Sequence, residues 1–466
     1  MTHLEDTLCK IQSNEFTISV FGLGYVGFPL SVRLASSGFK VIGVDTDSRK
    51  VEDLKNNILV ESQREFQEAL PQILENGNFF LSEHPIRSNE PRIGIICVPT
   101  PVPNGEINSE TFVFSAVEKF LDTSKRGDIL IIESSVRGGT TDKAIQMVKS
   151  RGYTLGEDFG VCFCPERIDP LNKKWKLENI PRIISASDDT TFQIAQKVYE
   201  PVNNSNLYRV SSPKVAEIVK SFENTFRLVN ISLVNELAML CDKLGINVKE
   251  VTDAAATKPF GFMPFSSGAG AGGHCIPKDS AFLADSAKQN GMNFFSIDNA
   301  LAINYIIPRY IAGTIEKTLD ELHLQKSVLV CGLAYKPDVE DMRDSPGFKI
   351  ANEFSERKFA VSAYDPYYKD ELAEKYLIEN HLGRLDFEIK SNLDYELIKK
   401  YDCICIVQHH TKTRHLLEEI YKKSLVPFIY DCQNKISYDP KSKTFLKGLG
   451  FTSNEMKYLQ LQNILT

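Results

Sequence analysis

Short apolar runs alternate with longer amphipathic stretches along most of the chain. Residues 17–21 read TISVF, a β-rich run, and three glycines follow at once in GLGYVG. A helical pattern starts near Phe28, and a second apolar run over 40–44 ends at Asp45. Later runs occupy 92–98, 128–132 and 161–164. They stop at Pro99-Thr100-Pro101, at Glu133-Ser134-Ser135 and at Pro165-Glu166-Arg167-Ile168-Asp169. Strands alternating with helices predict a parallel sheet with crossover helices. Ser212-Pro213 then opens a helical pattern that continues to about Leu244, with serine suited to the N-cap and proline to the first turn. At 1.5 Å per residue this helix is about 48 Å long, enough to join two domains. More helix is expected over 280–290 and 297–319. A second alternation begins at Ser327, with strands there and at 359–364, 403–407 and 427–430.

The first glycine turn has the context of a dinucleotide fingerprint: strand, GxGxxG, helix, strand, acid. Gly22 makes the tight turn, Gly24 lets a pyrophosphate approach, and Gly27 lets helix and strand pack. The helix N-terminus presents partial positive charge to the phosphates. Asp45 suits the ribose hydroxyls and disfavours a 2′-phosphate, so NAD is expected rather than NADP. Lys50 is a candidate for the adenosine side. Ligands of such sheets lie beyond the carboxyl ends of strands, where Thr100 and Ser135 stand as candidates for the nicotinamide side. Glu166 and Asp169 are candidate acids, and Arg167 a candidate for a phosphate or sugar. Lys220, Asn224 and Arg227 share one helix face by spacing. They lie among Val215, Ile218, Val219, Phe222, Phe226 and Val229, which suggests a lined cleft. The second alternation carries a single glycine in SVLVCGLAYKPDVEDMRDSP, so it lacks the pyrophosphate loop and suits a different nucleotide, with Tyr335 and Lys336 at its cleft. The expected fold is α/β: two Rossmann-like doubly wound domains joined by a long central helix and a helical middle domain. The expected boundaries are 1–211, 212–325 and 326–440, with 441–466 as a peripheral tail.

Between the two alternations lies GAGAGGHCIPKD, residues 268–279. Gly268, Gly270 and Gly273 also spell GxGxxG, but no β-rich run precedes them, so this is no second fingerprint. Glycines let backbone approach a ligand closely, and a thiolate beside them can attack a substrate carbon. Cys275 is therefore the candidate nucleophile. Lys278 or another lysine can favour the thiolate, and Asp279 can orient water or take a proton. A buried, inert cysteine in a flexible loop is the bland alternative.

The 466 residues fit two or three domains, and 25% charged residues suit a globular enzyme. A net charge of −7 argues against nucleic acid or an anionic membrane as the main partner. Ten cysteines show no framework spacing and no CxxC. Cys162/Cys164 and Cys403/Cys405 read as strand residues on one face, and no metal site is expected. The N-terminus is polar and acidic, and no apolar run is long enough for a bilayer, so the reducing cytoplasm is the expected compartment.

Taken together, GLGYVG, VDTD, VPTP, ESSV, CPER, the 213–241 helix, GGHCIPKD and YKPDVEDMRDSP resemble the UDP-glucose/GDP-mannose dehydrogenase family over about residues 16–440. That resemblance implies two NAD-dependent oxidations of a nucleotide sugar's 6-hydroxyl to a carboxylate. KPFGFMPF before the cysteine loop is most similar to the UDP-N-acetylglucosamine 6-dehydrogenase branch, with UDP-N-acetylmannosamine and UDP-glucose as alternatives. By the same resemblance Cys275 is the nucleophile, Lys220 and Asn224 stabilise oxyanions, Asp279 assists water and proton transfer, and Glu166 serves hydrolysis. Arg167, Ile168, Lys220, Asn224, Arg227, Gly272, Tyr335 and Lys336 fall on substrate-contact positions. Gly22, Gly24, Tyr25, Val26, Gly27, Asp45, Lys50, Thr100, Ser135 and Arg343 fall on NAD-contact positions. Ser135 stands where threonine is usual, Pro170 where a second glutamate often stands, and Lys278-Asp279-Ser280 departs from the common continuation. A homodimer through the central helical region and a role in surface-glycan precursors are further implications. A nucleotide-sugar epimerase or an NAD-binding sensor is the competing class, and would release no net NADH.

Overall fold

The computed structural model describes residues 1–101, 110–167, 172, 174–204, 206–273, 275–370 and 385–451. Two compact units emerge. The first comprises Met1–Glu223 with Asp285–Asn290, and the second Asn224–Ala284 with Gly291 onward.

The first unit is built on an eight-stranded sheet. Its strands are β1 (Thr17–Phe21), β2 (Val41–Val44), β3 (Phe79–Ser82), β4 (Arg92–Ile96), β5 (Ile129–Ile132), β6 (Gly160–Phe163), β7 (Arg182–Ala186) and β8 (Leu207–Arg209). They lie in the order β3-β2-β1-β4-β5-β6-β7-β8. Neighbours are parallel except β6 and β7. The direction of winding changes at β1, between β2 and β4, which is where a doubly wound sheet opens a crevice. Strands β1, β2, β4, β5 and β6 are buried almost throughout, as a sheet covered on both faces requires. Strands β3, β7 and β8 were not legible in the sequence. Arg182 opens β7 and so interrupts its apolar pattern, while β8 is three residues of which Tyr208 and Arg209 are exposed.

The second unit repeats the theme. Strands β9 (Ser327–Cys331), β10 (Ala360–Tyr364), β11 (Glu388–Lys390), β12 (Cys403–Ile406), β13 (Phe428–Asp431) and β14 (Phe445–Gly448) form a sheet in the order β11-β10-β9-β12-β13-β14. Every neighbouring pair is parallel. Helices Val248–Ala256, Ile276–Gln289 up to Ala284, and Phe295–Glu321 supply the helical part that precedes it in the chain. The architecture is α/β with two parallel Rossmann-like sheets and a helical central region, as the alternation predicted. One expectation is corrected. The stretch after residue 440 is not all peripheral, because β14 pairs with β13 and the Gly450 carbonyl accepts from the Val248 amide. Residues 452–466 of the expected tail lie outside the described residues.

The helix Pro213–Leu244 runs unbroken for 32 residues and carries the boundary between the units. Its pattern was legible because its caps and period agree. Cys403 and Cys405 of β12 share one core cluster, as strand residues two apart should, and Cys162 on β6 shares another with Cys164 just beyond that strand.

Candidate active site

In the first unit the glycine loop follows β1. Gly22 has φ +91°, and a Cβ there would meet the Cys97 carbonyl oxygen at 2.7 Å. A Cβ on Gly27 would overlap the Gly22 carbonyl oxygen, so the helix Gly27–Ser36 can start only where it does with glycine. Gly24 differs: a Cβ there meets nothing within 4 Å. The space a pyrophosphate needs is present above Gly24. Val26 is the residue before the helix, and Tyr25 is exposed.

Asp45 stands one residue beyond β2 and is nearly buried. Its Oδ2 accepts from the Leu23 amide at 2.8 Å and from Lys50 Nζ at 2.8 Å, and its Oδ1 accepts from the Asp47 amide at 3.0 Å. Asp45 thus holds the glycine loop, and Lys50 is tied to it. Each carboxylate oxygen accepts about two bonds, which leaves Oδ1 capacity for a ribose hydroxyl. Beyond β4, the Thr100 hydroxyl donates to the Ser135 carbonyl at 2.9 Å. Both NAD candidates of the nicotinamide side are therefore together at the carboxyl ends of β4 and β5. These groups fit NAD, the loop for its pyrophosphate and Asp45 for its ribose.

Glu166 and Arg167 follow β6. The Arg167 amide donates to Glu166 Oε1 at 2.5 Å. The Arg167 guanidinium forks onto the Glu223 carboxylate and donates to the Pro181 carbonyl at 2.7 Å. Ile168 and Asp169 lie outside the described residues, as does Pro170. Lys220 is half-buried one turn before the end of the first unit's part of the long helix.

In the second unit the cysteine loop is tightly constrained. Asn304 reaches from the helix Phe295–Glu321 to accept from the Ala271 amide at 2.6 Å and donate to its carbonyl at 2.9 Å. Asn235 accepts from the Gly268 amide at 3.0 Å. A Cβ on Gly272 would strike the Asp344 carbonyl oxygen and Pro346, one on Gly273 would strike the Tyr335 ring, and the Gly273 amide donates to the Arg343 carbonyl at 3.1 Å. The glycines therefore serve close approach to the segment 333–345, which carries Tyr335, Lys336 and Arg343. Arg343 is clamped by Asp341, with contacts of 2.9 and 2.6 Å. Sequence reasoning missed Asn235, Asn304 and Asp341, because a buried asparagine or aspartate carries no local pattern until the loop it satisfies is placed.

Cys275 immediately precedes the helix Ile276–Gln289, whose N-terminus favours an anion. Asp279 is fully buried in the first turn of that helix and accepts from Asn224 Nδ2 at 2.6 Å, with Lys278 Nζ 3.7 Å from its Oδ1. Asn224 and Asp279 are thus a pair, and Cys275 lies one turn from Asp279, whose amide donates to the Cys275 carbonyl. Arg227, one further turn along the long helix from Asn224, is exposed. Of its apolar neighbours Val215, Ile218, Phe222 and Phe226 are exposed, and Val219 and Val229 are half-buried.

The other cysteines are less suited to chemistry. Burial pushes up the thiols of Cys97, Cys162, Cys241, Cys331, Cys403, Cys405 and Cys432, and that of Cys164 to about 12. Cys9 is exposed on the N-terminal helix, and Cys275 is half-buried in the glycine loop. Among the described residues no cluster of three or more side chains suits a metal ion.

The second sheet repeats the nucleotide-binding geometry in a form the sequence concealed. Asp365, one residue beyond β10, accepts from the Leu333 amide at 2.7 Å, as Asp45 does from Leu23. Gly332 has φ +101°, and a Cβ on Gly347 would overlap the Gly332 carbonyl oxygen. These two glycines pair as Gly22 and Gly27 do, but fifteen positions apart instead of five. The longer loop between them is the one that carries Tyr335, Lys336 and Arg343.

Matches to known families cover each part of this arrangement. Residues 16–203 match the NAD-binding domain of the UDP-glucose/GDP-mannose dehydrogenase family, 214–305 its central domain and 329–438 its UDP-binding domain. The chain belongs to that family. It is an NAD-dependent UDP-sugar dehydrogenase. Among relatives, UDP-N-acetyl-D-mannosamine dehydrogenase of Methanococcus aeolicus is 33% identical over 91% of this chain and 91% of its own. UDP-N-acetyl-D-glucosamine 6-dehydrogenase of Salmonella typhi is 33% identical over 76% of this chain and 83% of its own. A solved UDP-D-ManNAc dehydrogenase from Pyrococcus horikoshii superimposes with a TM-score of 0.80 at 28% identity, covering 93% of this dehydrogenase and 99% of that chain.

Proposed function

We propose that the dehydrogenase oxidises C6 of a UDP-N-acetylhexosamine from alcohol to carboxylate, with Cys275 as covalent nucleophile. The observation that carries this is Cys275 at the end of a glycine loop pinned against Tyr335, one turn from the buried Asn224–Asp279 pair. NAD accepts the hydride in each of two oxidations. The sugar alcohol loses a hydride and a proton to become an aldehyde. The Cys275 sulfur adds to that carbon as a thiohemiacetal, which loses a second hydride and proton to give a thioester. Water cleaves the thioester, restoring the thiol and releasing the uronate. Asn224 and Lys220 stabilise charge on the C6 oxygen at the tetrahedral stages, and Asp279 and Glu166 hold the water and its proton. Loss of one such donor costs about 10²–10³ in rate.

Three assignments follow. Residues 1–211 hold NAD and supply Glu166, 212–325 supply the nucleophile with Lys220, Asn224 and Asp279, and the second sheet, extended to β14, holds UDP. Relatives named for the manno sugar match over 75% to 93% of the chain and those named for the gluco sugar over 76%, so the manno epimer stands beside the gluco epimer suggested by KPFGFMPF and both belong in the assay. Two copies of the chain pair through the long helix.

A spectrophotometric assay of NADH with a panel of UDP-sugars tests the reading. Two NADH per uronate are expected from one N-acetylhexosamine epimer. Cys275→Ser should produce no uronate; sustained uronate at wild-type rate from this variant would sink the covalent route. An epimerase or sensor would yield no NADH with any sugar of the panel.

A further inference from the structure

The chain leaving β12, Gln408-His409-His410-Thr411, belongs to no motif, yet it fastens the loop that carries Tyr335 and Lys336. Gln408 and His410 are buried. Gln408 Nε2 donates to the Tyr335 carbonyl at 3.0 Å, and Gln408 Oε1 accepts from Gln433 at 2.8 Å. Two positions after Lys336, the Asp338 amide donates to His410 Nδ1 at 3.0 Å. The Asp338 carboxylate accepts from the Thr411 amide at 2.8 Å, the Thr411 hydroxyl at 2.6 Å and the Tyr367 hydroxyl at 3.3 Å. His410 Nε2 lies 3.0 Å from Asp365 Oδ2, the oxygen that also accepts from the Leu333 and Ala334 amides at 2.7 and 2.8 Å. One imidazole thus joins the start of the loop, at Leu333, to its bend at Asp338.

A backbone N–H can only donate, so Nδ1 presents its lone pair to Asp338 and Nε2 is the donor to Asp365. The two ring nitrogens therefore have different tasks. Asp338 has φ +61°, in the left-handed region that a residue with a side chain enters at a cost. Aspartate tolerates it better than most, but such a bend persists where its neighbours hold it. Pro337 has a fixed φ and leaves little slack between Lys336 and the bend. The loop follows β9, His410 follows β12 and Asp365 follows β10. In the order β11-β10-β9-β12-β13-β14 the winding changes at β9, so these groups flank the crevice where such a sheet binds its ligand.

We propose that His410 is a positioning residue for the nucleotide sugar: through Nδ1 it holds the Asp338 bend, and so holds Tyr335 and Lys336 where they meet UDP. The step from loop to ligand rests on the reading of Tyr335 and Lys336 as substrate contacts. A histidine that served the fold alone would do so through either nitrogen. Here the bond to Asp338 reaches the bend, whereas the bond to Asp365 adds to what two amides already give that oxygen.

Two substitutions separate the nitrogens. An asparagine oxygen can stand in for Nδ1, and a glutamine NH2 for Nε2. His410→Asn keeps an acceptor for the Asp338 amide, and His410→Gln keeps a donor for Asp365. In His410→Gln the Kd for UDP by calorimetric titration and the KM for the UDP-sugar should rise about tenfold, with kcat within about twofold, the mark of lost uniform binding. His410→Asn should stay within about twofold of wild type in all three. Thr411→Val removes a hydroxyl from Asp338 at an exposed position, needs no buried change to be tolerated, and should raise Kd and KM about threefold. Hydrogen exchange of residues 333–345, followed by mass spectrometry without ligand, reads the loop itself. It should quicken in His410→Gln and Thr411→Val but not in His410→Asn. Equal rises in KM for both His410 variants, in step with their melting temperatures, would overturn the positioning role and leave His410 a support of the fold. Wild-type exchange in His410→Gln would overturn the hold on the loop. Quickened exchange with unchanged affinity for UDP would uphold that hold and overturn the reading of Tyr335 and Lys336 as substrate contacts.

Discussion

Glycines in the first loop differ in what forbids a side chain, and that difference can be measured. Gly27 is excluded from substitution by the folded chain itself, because a Cβ overlaps the Gly22 carbonyl. Gly24 has open space around its missing Cβ and φ outside the left-handed region. A methyl group there should leave the fold intact and obstruct only what docks on the loop. Gly24→Ala is therefore expected to melt within about 2 °C of wild type, as unstrained surface changes do. Its Kd for NAD should rise at least about tenfold, the equivalent of roughly 1.4 kcal/mol. Calorimetric titration with NAD checks this, and unchanged affinity would show that the pyrophosphate does not lie over Gly24. Asp45 was legible for the same reason as the glycines: it ends a strand at a fixed distance from the turn. Arg182 was not, because a lone arginine in an apolar run looks like an error until the carboxylates of Glu133 and Glu166 reach it from the ends of β5 and β6.

At the scale of elements, the readable parts were those whose pattern is local. Strands β1, β2, β4, β5 and β6 announced themselves as short apolar runs, and the helix Pro213–Leu244 by its cap and period. Strand β14 was hidden because Phe445-Leu446-Lys447-Gly448 is short, mixed and set among polar residues. It is held by a loop that hangs on one carboxylate. Asp431, at the end of β13, accepts from the amides of Gln433, Lys435 and Ile436 at 2.7–3.0 Å and contacts His409 at 2.8 Å. Burial pushes its pKa up, but His409 and these amides outweigh that, and the net shift is downward. A carboxyl held lower in the folded state stabilises it fully above the unfolded value, near 3.9, and the benefit is lost as pH falls through the folded value. Wild type should therefore lose more melting temperature between pH 5 and pH 3 than Asp431→Asn, which has no proton to gain there. Equal losses in thermal scans at the two pH values would show that Asp431 carries no pH-dependent stability.

For the whole molecule the open question is what covers the long helix. In the second unit's part of it, Phe226, Leu233, Leu240 and Leu244 are 42%, 62%, 51% and 59% exposed. Their spacing of seven, seven and four, with partly buried Leu237 between, is that of a seam made for another helix. Scattered apolar residues on a surface need no explanation, but a contiguous row rimmed by polar ones marks an interface. Tyr305 and Ile306 on the helix Phe295–Glu321 of the same unit are 80% and 43% exposed, and add to the apolar surface available. A second copy of the chain is the natural occupant, because a two-fold axis sets the same row against itself and needs no other partner. On that account the dehydrogenase should sediment at twice 52.5 kDa. A charge placed in the row meets its own copy across the axis, so Leu233→Glu with Leu240→Glu should shift the population to monomer at micromolar concentration. Both positions are solvent-exposed within one chain, so the monomer should keep its fold by circular dichroism. A folded double variant that still sediments as a dimer would place the interface elsewhere, and a wild type that sediments as a monomer would leave the row without a second copy to cover it.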